Sequence, residues 1–587
     1  MLGDEEKVFI LKPLSIFGPR QVCHILCCNS RVFLTNLMTI LMINKLQTLD
    51  YLVFMIYFCI VAGYGYWIYQ RKKTAEASAT DFFLAEGSLT WWAIGASLIA
   101  SNISAEQFIG MSGSGFAMGL AIASYEWMAA ATLIVVAVFF LPIYLRNKIY
   151  TMPQFLSLRY SPLVATIMAV FWLLVYVFVN LTSILYLGAL AVSTVSGFSF
   201  TACSIGLAIF AIIITLGGMK VIGYTDVIQV FVLTLGGLAT TYLALDMVAN
   251  HFGGSGALQG LALLREKADS HFHMIFEPGQ MMMPDGKGGQ TDAYNNLPGL
   301  AVLFGAMWIA NLNYWGFNQY ITQRALGANL KTARAGLLFA AFLKLMMPLI
   351  VVLPGIAAYV LYQNGMFQAE MSEAGNVRPD KAYPVLLNLL PVGLKGLSFA
   401  ALTAAIVASL AGKANSISTI FTLDLYKKYF NRNASEATQV RVGRVAIVVA
   451  MVIGGAVAPV LANFGQVFQY IQDFTGLISP GVVAIFLLGF FWKRATATAA
   501  LVGALATFPA GILLEKLYVG MPFLHRMGYV FLILVVLMVI ISLLDKKGQR
   551  NLKTIDVDPE EFKTSGGFLI GMVLVLGIIA ALYTLFW

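Results

Sequence analysis

Apolar residues run through this chain in long stretches. A helix spanning a bilayer needs about 20 mostly apolar residues, and fourteen such runs follow one another. They lie at about 51–70, 90–113, 118–145, 161–192, 199–218, 222–248, 298–323, 334–363, 393–424, 439–462, 465–491, 495–515, 527–544 and 566–586. Dense polar clusters interrupt two of them. In ASLIASNISAEQFIGMSGSG, Asn102, Ser104, Glu106 and Gln107 fall near mid-span, and Glu126 follows inside the next run. In AMWIANLNYWGFNQYITQR the interruption is Asn311, Asn313, Tyr314, Asn318 and Gln319. An ionised group at bilayer depth costs roughly +2.5 to +3.5 kcal/mol on insertion scales, so such groups persist where they face protein, water or a ligand. Non-helical backbone at that depth is tolerated only where it lines a cavity. Both segments therefore read as discontinuous helices bordering a substrate path. A Ser/Gly packing face accounts for Ser112, Gly113, Ser114 and Gly115, but not for Glu106, Gln107 and Glu126 together.

Counted from the run at residue 90, the two broken segments are the first and the sixth. Breaks at matching positions of two five-helix halves point to an inverted-repeat transporter with its site at the bilayer midplane. The expected architecture is an all-α polytopic membrane protein of about fourteen helices. Residues 1–49 read as a disordered N-terminal extension and 50–587 as one transmembrane transporter domain. Within that domain, core repeats fall at about 90–248 and 298–491, with accessory helices at 51–70 and 495–586.

Composition strengthens this reading. The chain is 59% hydrophobic and 11% charged over 587 residues, with mean hydropathy +0.81, outside the range of soluble domains. The formal charge of +9 orients the protein. Alternate loops carry the basic groups, among them Arg71, Lys72 and Lys73, then Arg146, Lys148 and Arg159, then Lys427, Lys428 and Arg432. By the positive-inside rule those loops are cytoplasmic, which places both termini outside a plasma membrane (the inner membrane of a bacterium). No nucleic-acid surface and no required protein partner are expected. Cys59 and Cys203 sit in apolar runs as small hydrophobes, and Cys23, Cys27, Cys28 and His24 match no zinc spacing. Residues 1–37 lack the layout of a signal peptide, and the acidic run Asp556, Asp558, Glu560, Glu561 reads as a solvated loop.

Further polar groups lie deep in other runs: Lys344, the pair Gln469 and Gln472, and Ser409, Lys413 and Asn415 in AAIVASLAGKANS. A neutral polyol needs this kind of set: carboxylate and amide oxygens to accept, amide and ammonium nitrogens to donate, aromatics over the ring. Gln107, Glu126, Asn311, Lys344 and Gln472 supply the polar partners; Tyr314, Trp315, Tyr125 and Phe468 supply the aromatics. The alternative is separate interhelical hydrogen bonds, each worth about 1 kcal/mol or less in membranes. No phosphate loop, nucleophile–base pair or metal motif is present, so a transporter is expected rather than an enzyme. A channel would show a ring of carbonyls or charges, and none is visible.

The stretches ASLIASNISAEQFIGMSGSG, GLAIASYEWM, VNLTSILYLGALA, YTDVIQVF, YWGFNQYI, FAAFLK, VVLPGIAAYV, DKAYP, FQYIQDFTGLISPG and LYTLFW, in this order, carry a resemblance. From about residue 50 onward the chain resembles the sodium/solute symporter family, most closely its sodium/galactose (sodium/glucose-type) members. The resemblance implies a five-plus-five, LeuT-type core with one helix before it and three after. It implies a symporter importing a hexose or related polyol, with Na+ as coupling ion. Sugar contacts would be Gln107, Glu126, Asn311, Lys344 and Gln472. Tyr314, held by Asn102, would close the site from the cytoplasm, and Met111, Tyr125 and Phe468 from outside. Sodium would sit where the first core helix unwinds, held by backbone oxygens of Ala100, Ile103 and Ala405 and by a serine pair. This chain departs from that pattern. The pair is Ala408–Ser409, Gly412 stands for a serine, Lys413 follows, Ala129 replaces a serine and Asn313 a tyrosine. Ser409 and Lys413, four apart, share a helix face, so the ammonium either replaces the cation, repels it, snorkels away or pairs with a carboxylate elsewhere; the last two are favoured here. If it replaces the cation, the protein is a proton-coupled carrier or uniporter of the same fold. Asp226 is a carboxylate open to pairing with a cation, Lys220 being one nearby candidate.

Overall fold

In this computed structural model residues 46–71, 89–216, 219–285, 289–373, 375–464 and 466–587 are described. The N-terminal extension through residue 45, with its cysteines, falls outside them, as does the side chain of Lys220.

Among the described residues the predicted apolar runs fall largely on helix. Ten helices among the described residues are long and apolar enough to cross a membrane, and two shorter apolar ones, Thr48–Val61 and Phe200–Thr215, accompany them. The remaining two runs are the broken ones. We number the main elements in chain order: α1 (Thr48–Arg71), α2 (Trp91–Asn102), α3 (Glu106–Met111 running into Ser112–Met118), α4 (Ser124–Val135, continuing to Arg146), α5 (Pro162–Ser196), α6 (Phe200–Thr215) and α7 (Met219–His251). The second half comprises α8 (Met307–Gly316), α9 (Gln319–Leu326), α10 (Leu330–Gln363), α11 (Leu394–Phe430), α12 (Glu436–Asn463) and α13 (Val467–Phe491). Three more follow: α14 (Ala497–Leu517), α15 (Phe523–Leu544) and α16 (Gly566–Leu585).

Local chemistry sets the starts and stops. Ser161, Ser199, Asn329, Ser435, Thr496 and Ser565 each accept a backbone N–H of the first turn, satisfying a donor that has no partner inside the helix. Gly197 ends α5 at φ 77°, where a Cβ would be strained. The chain is mostly helical, as an all-α membrane protein is expected to be. Two short hairpins, Met282–Pro284 with Gln290–Asp292 and Ser372–Glu373 with Asn376–Val377, lie in the long loops. These loops are half-exposed, so hydrogen bonding there follows turns rather than bilayer rules.

Two bodies flank the centre. Helices α2, α4, α8 and α10 pack on one another, and α5, α6, α11 and α12 form a second group. They meet where broken α2 touches α11 and the first turn of α3 touches α5.

Candidate functional site

The first break is built by its own sequence. After Asn102 the backbone turns extended at Ile103 (φ −76°, ψ 108°). Ser104 then starts α3 by reciprocal capping: its Oγ accepts the Glu106 N–H at 3.1 Å, and Gln107 Oε1 accepts the Ser104 N–H at 3.2 Å. An unbroken helix would aim that Ser104 N–H at the Ala100 carbonyl. The cap therefore frees the carbonyl. The second break lies at Phe317–Asn318, where Asn318 Oδ1 accepts the Tyr320 N–H and starts α9.

Between these breaks is one cavity. Gln107, Glu126, Asn311, Lys344 and Gln472, from five helices, all line it, together with Asn102, Met111, Tyr125, Tyr314, Trp315 and Phe468. Lys344 is wholly buried, its Nζ 2.5 Å from Glu126 Oε2 and 5.1 Å above the Trp315 ring, and it also donates to Asn102 Oδ1. Asn102 Nδ2 donates to Tyr314 Oη at 3.0 Å, and Tyr314 shares a hydroxyl contact with Tyr320. Also in its lining, Tyr125 and Phe468 meet edge to face, centroids 5.3 Å apart. Asn311 Nδ2 donates to its own helix at Met307 O (3.1 Å), leaving its carbonyl oxygen available. Of the residues that depart from relatives, Ala129 lines the cavity and Asn313 donates to Ser479 Oγ at 2.9 Å.

A second polar cluster lies beside it. Ser409 Oγ faces the carbonyl oxygens of Ala100, Ser101 and Ile103 at 3.4, 3.3 and 3.5 Å. Ala405, one turn earlier on α11, is also buried. Freed carbonyls and a hydroxyl are hard oxygen donors of the kind that hold sodium or calcium. Ser101 was not singled out from sequence; its signal was the serine preceding Asn102.

Lys413 neither snorkels nor enters this carbonyl shelf. Its Nζ lies 3.3 Å from Glu106 Oε2 and 5.3 Å from the Tyr320 ring centroid, almost fully buried. Of the geometries expected for it, pairing with a carboxylate is the one found, but that carboxylate belongs to the break itself. Asp226 Oδ2 accepts from Ser97 Oγ (2.7 Å) and stands 4.0 Å from Arg324 Nη2. Its neighbouring cation is thus Arg324, from across the molecule. Gly412 makes room for that guanidinium, since a Cβ there would lie 2.9 Å from Arg324 Nη2.

Sequence reasoning passed over Trp172, Tyr176 and Asn180 of α5, which also line the cavity. Asn180, an amide within an apolar run, was the available signal. It also passed over Asp380 as a site residue. Buried beside Gly113, Asp380 accepts the Val467 N–H (3.3 Å) that opens α13, the helix carrying Phe468. Burial pushes its carboxyl up to about 7. The acidic run is not simply solvated either: Arg146 bonds Asp556, Asp558 and Glu561 at 2.6, 3.0 and 3.2 Å.

Residues 82–507 match the sequence profile of the sodium:solute symporter family. Over 552 residues the chain is 48% identical to the sodium/glucose cotransporter of Vibrio parahaemolyticus, spanning 93% of this chain and 99% of that protein. To sodium/myo-inositol cotransporter 2 of Homo sapiens it is 33% identical over 500 residues, 80% of this chain and 70% of that one. Among solved structures, its fold is similar to that of a Na+-coupled sialic acid symporter in a substrate-bound outward-open state. The TM-score is 0.71 at 23% identity, over 85% of this chain and 98% of the other.

Proposed function

The chain belongs to the sodium:solute symporter family, and on that premise we propose that it imports a hexose or related polyol, driven by inward movement of sodium. It is a multi-pass membrane transporter, not an enzyme. The observation that carries the sugar reading is the meeting of Glu126, Lys344 and the amides of Gln107, Asn311 and Gln472 around one cavity that aromatics also line. Sugar hydroxyls donate to the carboxylate and amide oxygens and accept from the ammonium and amide nitrogens. With the basic loops cytoplasmic and both termini outside, Tyr314 and Asn102 close the cavity inward, and Met111, Tyr125 and Phe468 close it outward. The two bodies, each built from helices of both core repeats (about 90–248 and 298–491), rock around this midplane site.

Sodium enters the scheme at Ser409. A cation held there by the carbonyls of Ala100 and Ile103, with Ala405 beside them, bridges α2 to α11 and so joins the two bodies. It favours the sugar-binding arrangement by no more than its differential affinity for the two states. Restoring the missing hydroxyl with Ala408→Ser should lower the sodium concentration for half-maximal uptake about fivefold, on the order of 1 kcal/mol per added ligand hydrogen-bonding group. An unchanged sodium curve would remove Ser409 and its neighbours from the ion path.

The deciding experiment is uptake into proteoliposomes of a labelled panel (galactose, glucose, myo-inositol, sialic acid) with sodium, potassium and proton gradients imposed one at a time. Sugar accumulation under a proton gradient or no gradient, indifferent to sodium, would favour the carrier without sodium coupling. Gln472→Ala strands sugar hydroxyls in a buried site and should cost about 1–3 kcal/mol, about five- to 150-fold in apparent sugar affinity, with normal membrane insertion. Wild-type affinity in that variant would mean that Gln472 only packs helices.

A further inference from the structure

Lys413 is a buried charge that the transport scheme above does not use. Its ammonium extends from α11, in one body, to Glu106 at the start of α3, at the junction with the other. Glu106 is itself buried (6% exposed), and its second oxygen accepts from Ser183 Oγ of α5 at 2.7 Å. Ser104 Oγ approaches the first oxygen at 3.5 Å. A carboxylate at the junction is therefore held by an ammonium from α11 and a hydroxyl from α5, both of the second body. The ammonium's partner is thus a carboxylate whose two oxygens also meet serine hydroxyls, oxygen ligands of the hard kind that a sodium ion takes.

We propose that the Lys413 ammonium is a tethered cation occupying a second cation site formed by Glu106, Ser104 and Ser183, so that this chain carries covalently a charge that a diffusible sodium ion would otherwise supply. This rests on the transport reading for its uptake readout, but not for its binding readout. The ammonium neutralises Glu106 in every state of the cycle, whereas a free ion would bind and leave. Removing the ammonium leaves a buried carboxylate with hydroxyl neighbours, and a small hard cation fills the vacated volume.

The test counts ions. Radiolabelled sodium binding to the purified full-length protein, and the Hill slope of sodium-dependent sugar uptake in proteoliposomes, are compared in wild type, Lys413→Met and Lys413→Gln. The glutamine keeps a hydrogen-bond donor toward Glu106 without the charge, so it is read even where the methionine variant fails to fold. One additional sodium per protein is expected in both neutral variants, with the Hill slope rising from about one to about two. Glu106→Gln in either background should return the count to the wild-type value. An unchanged count in both neutral variants, or a proton taken up by Glu106 in place of the ion, overturns the proposal. The two readings separate cleanly. Wild-type sugar uptake that ignores sodium defeats sodium coupling, yet a gain of one bound ion in Lys413→Gln would still establish the tethered charge.

Discussion

Glu126→Ala is expected to abolish sugar uptake and to leave a protein that still inserts in the membrane but melts at lower temperature. The carboxylate has two roles. It accepts from sugar hydroxyls in the proposed site, and it neutralises Lys344, which is wholly buried 2.5 Å away. Removing one partner of a buried pair costs about 3–5 kcal/mol, because the remaining charge is stranded. Asn102 and the Trp315 face offset only part of that, since neither carries a negative charge. Companion variants separate the roles. Glu126→Ala combined with Lys344→Met should recover thermal stability without recovering uptake, and Glu126→Gln should hold the helices together while transporting poorly. The measurements are uptake at fixed sodium and melting of detergent-solubilised protein by size exclusion. Wild-type uptake in well-expressed Glu126→Ala would show that the pair is only an interhelical clamp.

Much of this architecture was legible from hydropathy because the bilayer penalises polar groups so heavily. Both breaks announced themselves as polar clusters, the first of amides and a carboxylate and the second of amides and a tyrosine, and the structure places the extended residues at Ile103 and Asn318, inside those clusters. Convergence of Gln107, Glu126, Asn311, Lys344 and Gln472 on one cavity was also foreseeable, since each sits where lipid would not tolerate it. Partner choice was not legible. Lys413 and Glu106 are 307 positions apart, and Arg324 and Asp226 come from different halves of the chain. A single sequence shows that a buried charge needs a partner; only packing shows which one. Helix lengths were misjudged for a related reason. The run read as 393–424 continues to Phe430 because its last turns widen into π-type hydrogen bonding, which keeps the backbone satisfied past the end of the apolar stretch.

Arg159 shows where counting loop charges misleads, and it supports the second large prediction. It entered the sequence reading as one of the basic residues that mark a cytoplasmic loop, yet it is 1% exposed. Its guanidinium donates to the carbonyls of Gly489 (2.8 Å), Trp492 (3.0 Å), Lys493 (3.4 Å) and Ala495 (3.0 Å). Gly489 lies at the end of α13, where no further helical N–H arrives and where the helix dipole favours a cation. The other three lie in the turn after it, Trp492 O also accepting the Ala495 N–H at 3.1 Å. Tyr160 beside it donates to Ile485 O at 2.7 Å and lies under the guanidinium. Arg159→Ala should therefore destabilise the protein by on the order of 3–5 kcal/mol, as several buried carbonyls lose a charged donor at once. Arg159→Lys should recover only part of this, because one ammonium cannot reproduce the planar fork. The site residues are untouched, so the protein that remains folded should keep the wild-type sodium and sugar half-saturation values. That is the reverse of Glu126→Ala, where transport fails before folding does. A melting temperature equal to wild type in Arg159→Ala would mean that water reaches this helix end and that the guanidinium only replaces it.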